Sequence, residues 1–311
     1  MDYQATGAAT RAVRGIGLQM GSHVVNDLGI EGFSKGQFDY VELICDSWAA
    51  PLDCGYVVNQ GARSWFDSLA ERYPLLAHSN YGLEFGFEPL AETPAMRRHV
   101  ELAQEMKSPW LGDHMFYGLV SDSMLWSTPI QFSRAEVERV ASRAAAFQDA
   151  LKMPLLHETP FYYANFPGSD MEDGEFIAAV VERAQTGILL DIHNIYANSV
   201  DHEGYDAWRF LRTIPLDRVI QIHLAGGQWI DGWYHDLHNH AIPEPVWAML
   251  EHVLREAPNL QAVTLEYQGP GHTPRSRPFD PSWADMVAGD LARARSLWRA
   301  VREPADGARE Q

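Results

Sequence analysis

The stretch from Gly187 to Gly226 constrains this chain most, opening with GILLDIHNIYANS and closing with RVIQIHLAGG. Each half starts as a short apolar run, Ile188 to Leu190 and then Val219 to Ile222. Each run stops at residues that bind metals or move protons: Asp191 and Asn194 in the first, His223 in the second. A helical segment from Tyr205 to Thr213 lies between them. Parallel strands need a long crossover, usually a helix, and in a sheet covered on both faces they read as unbroken apolar runs. The spacing therefore predicts a strand, helix, strand unit with its polar residues at the carboxyl ends of the strands.

The pattern recurs along the chain. Further strands are expected at Arg14 to Met20, Tyr40 to Ile44, Leu75 to Ala77 (ending in His78), Pro109 to Leu111 (ending in Asp113 and His114), Met153 to Leu156 (ending in His157 and Glu158) and Ala262 to Leu265 (ending in Glu266). Helical spacing runs from Asn59 to Tyr73, where Pro74 stops it, and from Pro94, capped by Thr93, to Met106. Ser133 and Glu136 form a capping-box pattern ahead of an Ala-rich helix to Leu151. Met171 to Gln185, Pro245 to Glu256 and Pro281 to Val301 complete the set, while the Gly-bearing connection after the first strand predicts only a poor helix. Eight apolar runs alternating with helices predict an α/β chain folded as a (β/α)8 TIM barrel, or failing that a large doubly wound sheet. The economical organisation is a single domain over 1–311, with 1–13 and 304–311 as flexible tails.

Acidic residues outnumber basic ones 42 to 24, a formal charge of −18 that repels phosphate backbones and anionic lipid, so neither nucleic acid nor a membrane is expected as partner. Two cysteines, Cys45 and Cys54, are too few for a disulfide framework. With no apolar signal segment at the amino terminus and no long apolar run, the expected setting is the cytoplasm.

In a barrel every strand delivers its carboxyl end to the same face. His78, His114, Glu158, Asp191, Asn194, His223 and Glu266 would then converge with Asp236 and His238 from the long loop GGQWIDGWYHDLHNHAIPEP. Nitrogen and oxygen donors without thiolate suit iron, manganese or zinc. Nine donors exceed the needs of one ion and would serve two or three. Individually, a His at a strand end is often a hydrogen-bonded structural residue, and an Asp or Glu there is often a helix cap. Capping alone, however, would favour Ser, Thr and Asp over the His and Glu seen at successive strands.

Among other histidines, strand alternation turns His157 and His193 away from their neighbours' side, as supporting or packing residues. His235 and His240 rival His238. Asp113 either orients His114 or caps the segment after it. No G-x-S-x-G elbow, P-loop or G-x-G-x-x-G stretch comes after a strand, so serine hydrolase, NTPase and dinucleotide chemistries have no foothold.

Taken together, GIGL near the start, His78, the D-H pair at Asp113 and His114, LLHETP around Glu158, GILLDIHNIY, QIHLAGG, the D-x-H at Asp236 to His238 with PVW after it, and TLEYQG resemble the multinuclear non-heme iron-dependent oxidative enzymes. That family includes the oxidase of methanobactin biosynthesis. The resemblance spans Arg14 to Pro270. It implies a barrel holding two or three irons in mixed Fe(II)/Fe(III) valence, and dioxygen as co-substrate. The reaction it implies is oxidation of a cysteine, or another residue, in a ribosomally made precursor peptide that a separate partner protein commonly presents. It also implies that His78, His114, Glu158, Asp191, Asn194, His223, Asp236, His238 and Glu266 are iron ligands, with Asp191, Glu158 and His223 at the catalytic centre. The chain departs from the family at Thr159 (usually Asn), Gly227 (commonly His) and Asn239 (commonly Asp), positions that bear on substrate orientation more than on metal binding. The aromatic segments Gln228 to Tyr234 and Phe161 to Phe166 are expected to contact peptide. Two alternatives stand beside this reading: a zinc or manganese barrel hydrolase or sugar isomerase, and a metal-bearing scaffold that binds peptide without catalysis.

Overall fold

A computed structural model describes residues 13–20, 37–45, 49–52, 55–58, 63–80, 86, 94–117, 119–120, 123–124, 130–165, 167–268 and 281–303. In chain order the strands are β1 (Gly15–Met20), β2 (Tyr40–Ile44), β3 (Ala49–Leu52), β4 (Gly55–Val58), β5 (Leu75–Ser79), β6 (Leu111–His114), β7 (Leu119–Val120), β8 (Ser123–Met124), β9 (Leu155–Glu158), β10 (Gly187–Asp191), β11 (Val219–Leu224), β12 (Gln228–Ile230), β13 (Trp233–His235) and β14 (Ala262–Glu266). The helices are α1 (Arg63–Arg72), α2 (Pro94–Met106), α3 (Arg134–Leu151), α4 (Asp173–Ala184), α5 (Ile192–Asp201), α6 (Ala207–Thr213), α7 (Glu244–Glu256) and α8 (Pro281–Arg302).

Eight strands close a barrel in the order β1-β14-β11-β10-β9-β6-β5-β2, and every pair is parallel. The expected (β/α)8 TIM barrel is the fold, and the doubly wound sheet is not. The strands are buried along almost their whole length because helices cover the outside and side chains fill the inside.

Alternation stacks the interior in layers. A plug of Val13, Tyr40, Leu76, Trp110, Leu156, Leu189, Ile220 and Ala262 fills one end. Two residues further along the same strands come Glu42, His78, Gly112, Glu158, Asp191 and Thr264, so the apolar plug forms the floor of a polar chamber at the carboxyl end. Val13, expected in a flexible tail, is buried in that plug; 1–12 and 304–311 lie outside the described residues.

Several boundaries differ from the sequence expectation. A helix, α5, begins directly after Asp191, in a stretch to which the sequence reading assigned no element before Tyr205. The loop after β11 carries the hairpin β12–β13. Ser133 does cap α3, but Glu136 turns to Arg139 instead of completing the box; the reciprocal box forms at Glu172 and Glu175 ahead of α4. The poor first helix, Thr93, Cys54 and Phe166 fall outside the described residues, whereas Cys45 is buried. No helix among the described residues is long and apolar enough to cross a membrane.

Candidate metal centre

The parallel register sets the chamber's geometry. His114 on β6 lies opposite Glu158 on β9, and Asp191 on β10 lies opposite His223 on β11. Glu158 is the hub: one carboxylate oxygen is 3.2 Å from His78 Nε2, and the other is 3.5 Å from His114 Nε2 and 3.7 Å from His223 Nδ1. Across the chamber, His223 Nδ1 is 3.2 Å from Glu266 Oε1. His238 Nε2 is 2.8 Å from Asp236 Oδ1 and 3.9 Å from Glu266 Oε2, which joins the loop residues to the strand residues.

Four overlapping groups, each with ligand atoms within 4.8 Å of one another, result: His78, His114 and Glu158; Glu158, Asp191, His223 and Glu266; His193, Asp236 and His238; and Glu42, His78 and His223. The structure thus brings eight of the nine expected residues into these groups. Asn194, the ninth, hydrogen-bonds through its backbone N–H to Asp191 Oδ1 at 2.8 Å and through its amide nitrogen to the Thr159 carbonyl at 3.1 Å.

The donor atoms suit metal ions better than they suit one another. His78 Nε2, Glu158 Oε2, Asp191 Oδ2, Asn194 Oδ1, His223 Nδ1, Asp236 Oδ1, His238 Nε2 and Glu266 Oε2 are buried without a hydrogen-bond partner. Buried polar atoms in folded proteins are normally satisfied, so eight in one chamber require an explanation. With metal–ligand bonds of about 2.1 Å, two donors on one ion lie roughly 3.0 to 3.4 Å apart. The His78–Glu158 and His223–Glu266 separations, both 3.2 Å, fall in that range.

Electrostatics point the same way. Burial, then the neighbouring carboxylates of Glu266, Glu158 and Asp236, push Asp191 well above the usual carboxylate range. Burial opposes charge on His238, but Asp236 and Glu266 outweigh it and raise its pKa to about 10. Burial likewise opposes charge on His223, yet Glu266, Glu42 and Glu158 raise it well above the ordinary value. A cation bound among these carboxylates would displace protons from His223 and His238.

Glu42 on β2 was absent from the sequence expectation. It is fully buried, with Oε1 2.9 Å from His223 Nε2 and 3.3 Å from His78 Nδ1. The signal was present: it is the one charged residue in YVELI. His193 was expected to turn away, but it lies on α5, where strand alternation does not apply. Its Nδ1 is 2.9 Å from Asp236 Oδ1 and its Nε2 is 3.0 Å from the Tyr234 hydroxyl. His157 does face outward, with Nε2 2.9 Å from Thr186 Oγ1. His235 pairs with the Tyr163 hydroxyl and His240 is exposed, leaving His238 as the loop histidine in the chamber. Asp113 accepts from the backbone N–H of His114 at 3.0 Å.

The three departures from the family pattern have local roles. The Thr159 hydroxyl accepts from the Asp191 N–H and donates to the Asp191 carbonyl, clamping β9 to β10. Gly227 donates its N–H to the Tyr234 hydroxyl, and the Asn239 amide donates to Gln228. Of the segments expected to touch peptide, Trp229, Ile230, Trp233 and Tyr163 are exposed, whereas Tyr234, Phe161 and Tyr162 are buried.

Comparison with known proteins adds to this geometry. A sequence model for the family described as RiPP precursor modification enzyme MbnB/TglH/ChrH matches residues 15–271. A UPF0276 protein of Caulobacter vibrioides is 32% identical over 240 residues, covering 76% of this chain and 80% of its own. A UPF0276 protein of Haemophilus influenzae is 27% identical over 258 residues, covering 75% and 81%. Among solved structures, D-psicose 3-epimerase from Clostridium cellulolyticum H10 superposes with a TM-score of 0.57 at 11% identity, covering 92% of this chain and 99% of its own. That last likeness concerns the fold alone.

Proposed function

The chain belongs to the MbnB/TglH/ChrH family of RiPP precursor modification enzymes, and on that premise we propose that it oxidises a cysteine of a ribosomally made precursor peptide with iron and dioxygen. The observation that supports this reading best is the set of buried, unpartnered nitrogen and oxygen atoms facing one chamber. His78, His114 and Glu158 would hold one ion; Glu158, Asp191, His223 and Glu266 a second, with Glu158 shared; Asp236 and His238, with Asn194 at hand, a third. Bound iron would supply one-electron reduction of dioxygen and a position for the substrate thiolate.

The chain's own part is to hold, orient and exclude water. Glu158 and His223 each belong to two of the groups and Asp191 shares one with both, so these three would stand at the catalytic centre. Thr159 fixes the backbone of Asp191, and Tyr234 and His193 brace Asp236 from behind. The apolar plug closes the chamber from below, which among the described residues leaves the rim as the side open to water. At that rim Trp229, Ile230 and Trp233 stand 56%, 41% and 45% exposed on the β12–β13 hairpin, a surface suited to an unfolded peptide or its presenting partner.

The test is coexpression of the chain with candidate cysteine-containing precursor peptides, then mass spectrometry of the peptide, with Asp191→Ala as control. A mass change that requires iron and oxygen and disappears in the variant is expected. Zinc or manganese at full occupancy in protein purified without oxygen, with no iron requirement, would overturn it in favour of hydrolase or isomerase chemistry. An unaltered peptide bound by the iron-loaded chain would leave only a scaffold.

A further inference from the structure

Beneath the chamber lies a buried hydrogen-bond network that the ligand set does not account for, with Glu42 at its centre. Oε2 of Glu42 accepts from Gln221 Nε2 at 2.5 Å and from the Thr264 hydroxyl at 2.6 Å. The orientation of Gln221 is fixed because its Oε1 accepts from Trp110 Nε1, a group that can only donate, at 2.8 Å. Gln221 Nε2 also lies 3.0 Å from both Thr264 Oγ1 and His223 Nε2; the second amide hydrogen goes to Thr264 Oγ1 when His223 Nε2 itself carries hydrogen, and the Tyr40 hydroxyl contacts that Thr264 oxygen at 2.8 Å. One Gln221 N–H and the Thr264 hydroxyl are therefore committed to Oε2.

Oε1 of Glu42 faces two imidazole nitrogens, His223 Nε2 at 2.9 Å and His78 Nδ1 at 3.3 Å. A buried carboxylate oxygen opposed by two nitrogen lone pairs would be severely destabilised, whereas N–H groups stabilise it, His223 Nε2 in hydrogen-bonding geometry and His78 Nδ1 as a longer charge–dipole contact that falls short of a hydrogen bond. Placing hydrogen on His223 Nε2 and His78 Nδ1 leaves His223 Nδ1 and His78 Nε2 as the free lone pairs. These are the nitrogens that face Glu158 and Glu266 in the chamber, at 3.2 to 3.7 Å. The Glu42 contacts thus leave toward the chamber the lone pairs that a cation held there with Glu158 and Glu266 would need.

From this we infer that Glu42 is a positioning residue: a single carboxylate sets which ring nitrogen both His78 and His223 present to the metal centre, Nε2 from His78 and Nδ1 from His223. The inference rests on the proposed metal centre and extends it. Carboxylates behind ligating histidines fix ring orientation and tautomer, and their loss typically weakens metal binding about 10- to 100-fold.

Glu42→Gln separates this role from a merely structural one. The amide oxygen of the variant would take the hydrogen bonds of Gln221 and Thr264, which turns the new N–H group toward His223 Nε2 and His78 Nδ1. Those nitrogens must then accept, hydrogen moves to the ligating nitrogens, and both ligands are blocked. Glu42→Met removes the acceptor without imposing either tautomer. The expected order of ferrous affinity, measured by anaerobic equilibrium dialysis, is wild type, then Glu42→Met, then Glu42→Gln, with Glu42→Gln weaker than wild type by about 10- to 100-fold. A structural role predicts the reverse order for the two variants, since Gln preserves more of the network. Ring 15N shifts of the zinc-loaded wild type give an independent readout, with metal expected on His78 Nε2 and His223 Nδ1. Wild-type ferrous affinity in a folded Glu42→Gln protein, or metal on the opposite nitrogens, would overturn the inference alone. A wild-type chain that takes up no metal would overturn the proposed function instead.

Discussion

Asp191 caps the helix that carries Asn194: its Oδ1 accepts the Asn194 backbone N–H at 2.8 Å, while Oδ2 is buried and has no hydrogen-bond partner. The two oxygens divide the two roles open to an acidic residue at a strand end, capping and ligation. Asp191→Asn keeps an acceptor for the cap and should fold close to wild type, whereas Asp191→Ala should lose about 1 kcal/mol of helix capping. Both should bind less iron than wild type. Thermal melts of the metal-free proteins, read beside metal analysis, separate the two effects; an Asp191→Asn protein with a full iron complement would refute the ligand role.

Removing metal should destabilise the chain because the chamber then holds four buried carboxylates against a few imidazoles. A ligand bound only by the native state adds about 2.7 kcal/mol at a hundred times its dissociation constant. Chelator-treated protein should therefore melt lower than the iron form and recover when ferrous ion is restored without oxygen. Identical melting curves for the two forms would count against a metal centre.

Acid should act through His157. Burial lowers its pKa from 6.5 to about 4, with the nearby Asp113 charge opposing the shift. Because the unfolded chain takes up the proton first, the stability of the neutral native ring is full above pH 6.5 and falls as pH drops toward 4. The loss amounts to about 3 kcal/mol for one fully buried group. In denaturant titrations of metal-free protein, His157→Gln should be less stable at neutral pH but flatter across that window. Parallel slopes for the two proteins would remove His157 as the cause.

Gly226 should tolerate no side chain. A Cβ there would collide with the carbonyl oxygens of His240 and Ala241, and the Gly226 carbonyl holds the Asn239 N–H at 3.0 Å. Gly226→Ala should push away the segment bearing Asp236 and His238 and cost about 1 to 3 kcal/mol. Metal analysis should show fewer ions per chain, with those held by the barrel strands retained.

The exposed hairpin gives the complementary case. Trp229→Ser with Trp233→Ser should leave stability within about 0.5 kcal/mol, since neither side chain is in the core. Peptide modification should need a higher peptide concentration at unchanged kcat. An unaltered KM would move peptide contact elsewhere.

Much of this architecture was legible because two periodicities did the work. Apolar runs of strand length gave the barrel, and residues ending those runs gave seven chamber residues from widely separated positions. The rules failed where their premise did. Glu42 sits in the middle of β2, not at its end, so a search of strand ends passes over it, although Tyr40, two residues earlier, already pointed the same way into the barrel. His193 was judged by strand alternation, yet β10 runs into α5 with no intervening loop and the helical period governs there. The β12–β13 hairpin had a usable signal in QWIDGWYH: Asp231 and Gly232 both have positive φ, 52° and 87°, as expected for a two-residue Asp-Gly turn.

His238 adopts a left-handed backbone, φ 52°, on a connecting segment, while six of the other candidate ligands ride on interlocked barrel strands. Assembly of the cofactor should consequently be sequential, from the rigid wall outward, with the rim position filling last and emptying first. Preparations handled differently would then differ in nuclearity without differing in fold, and activity would track the occupancy of the most weakly anchored corner.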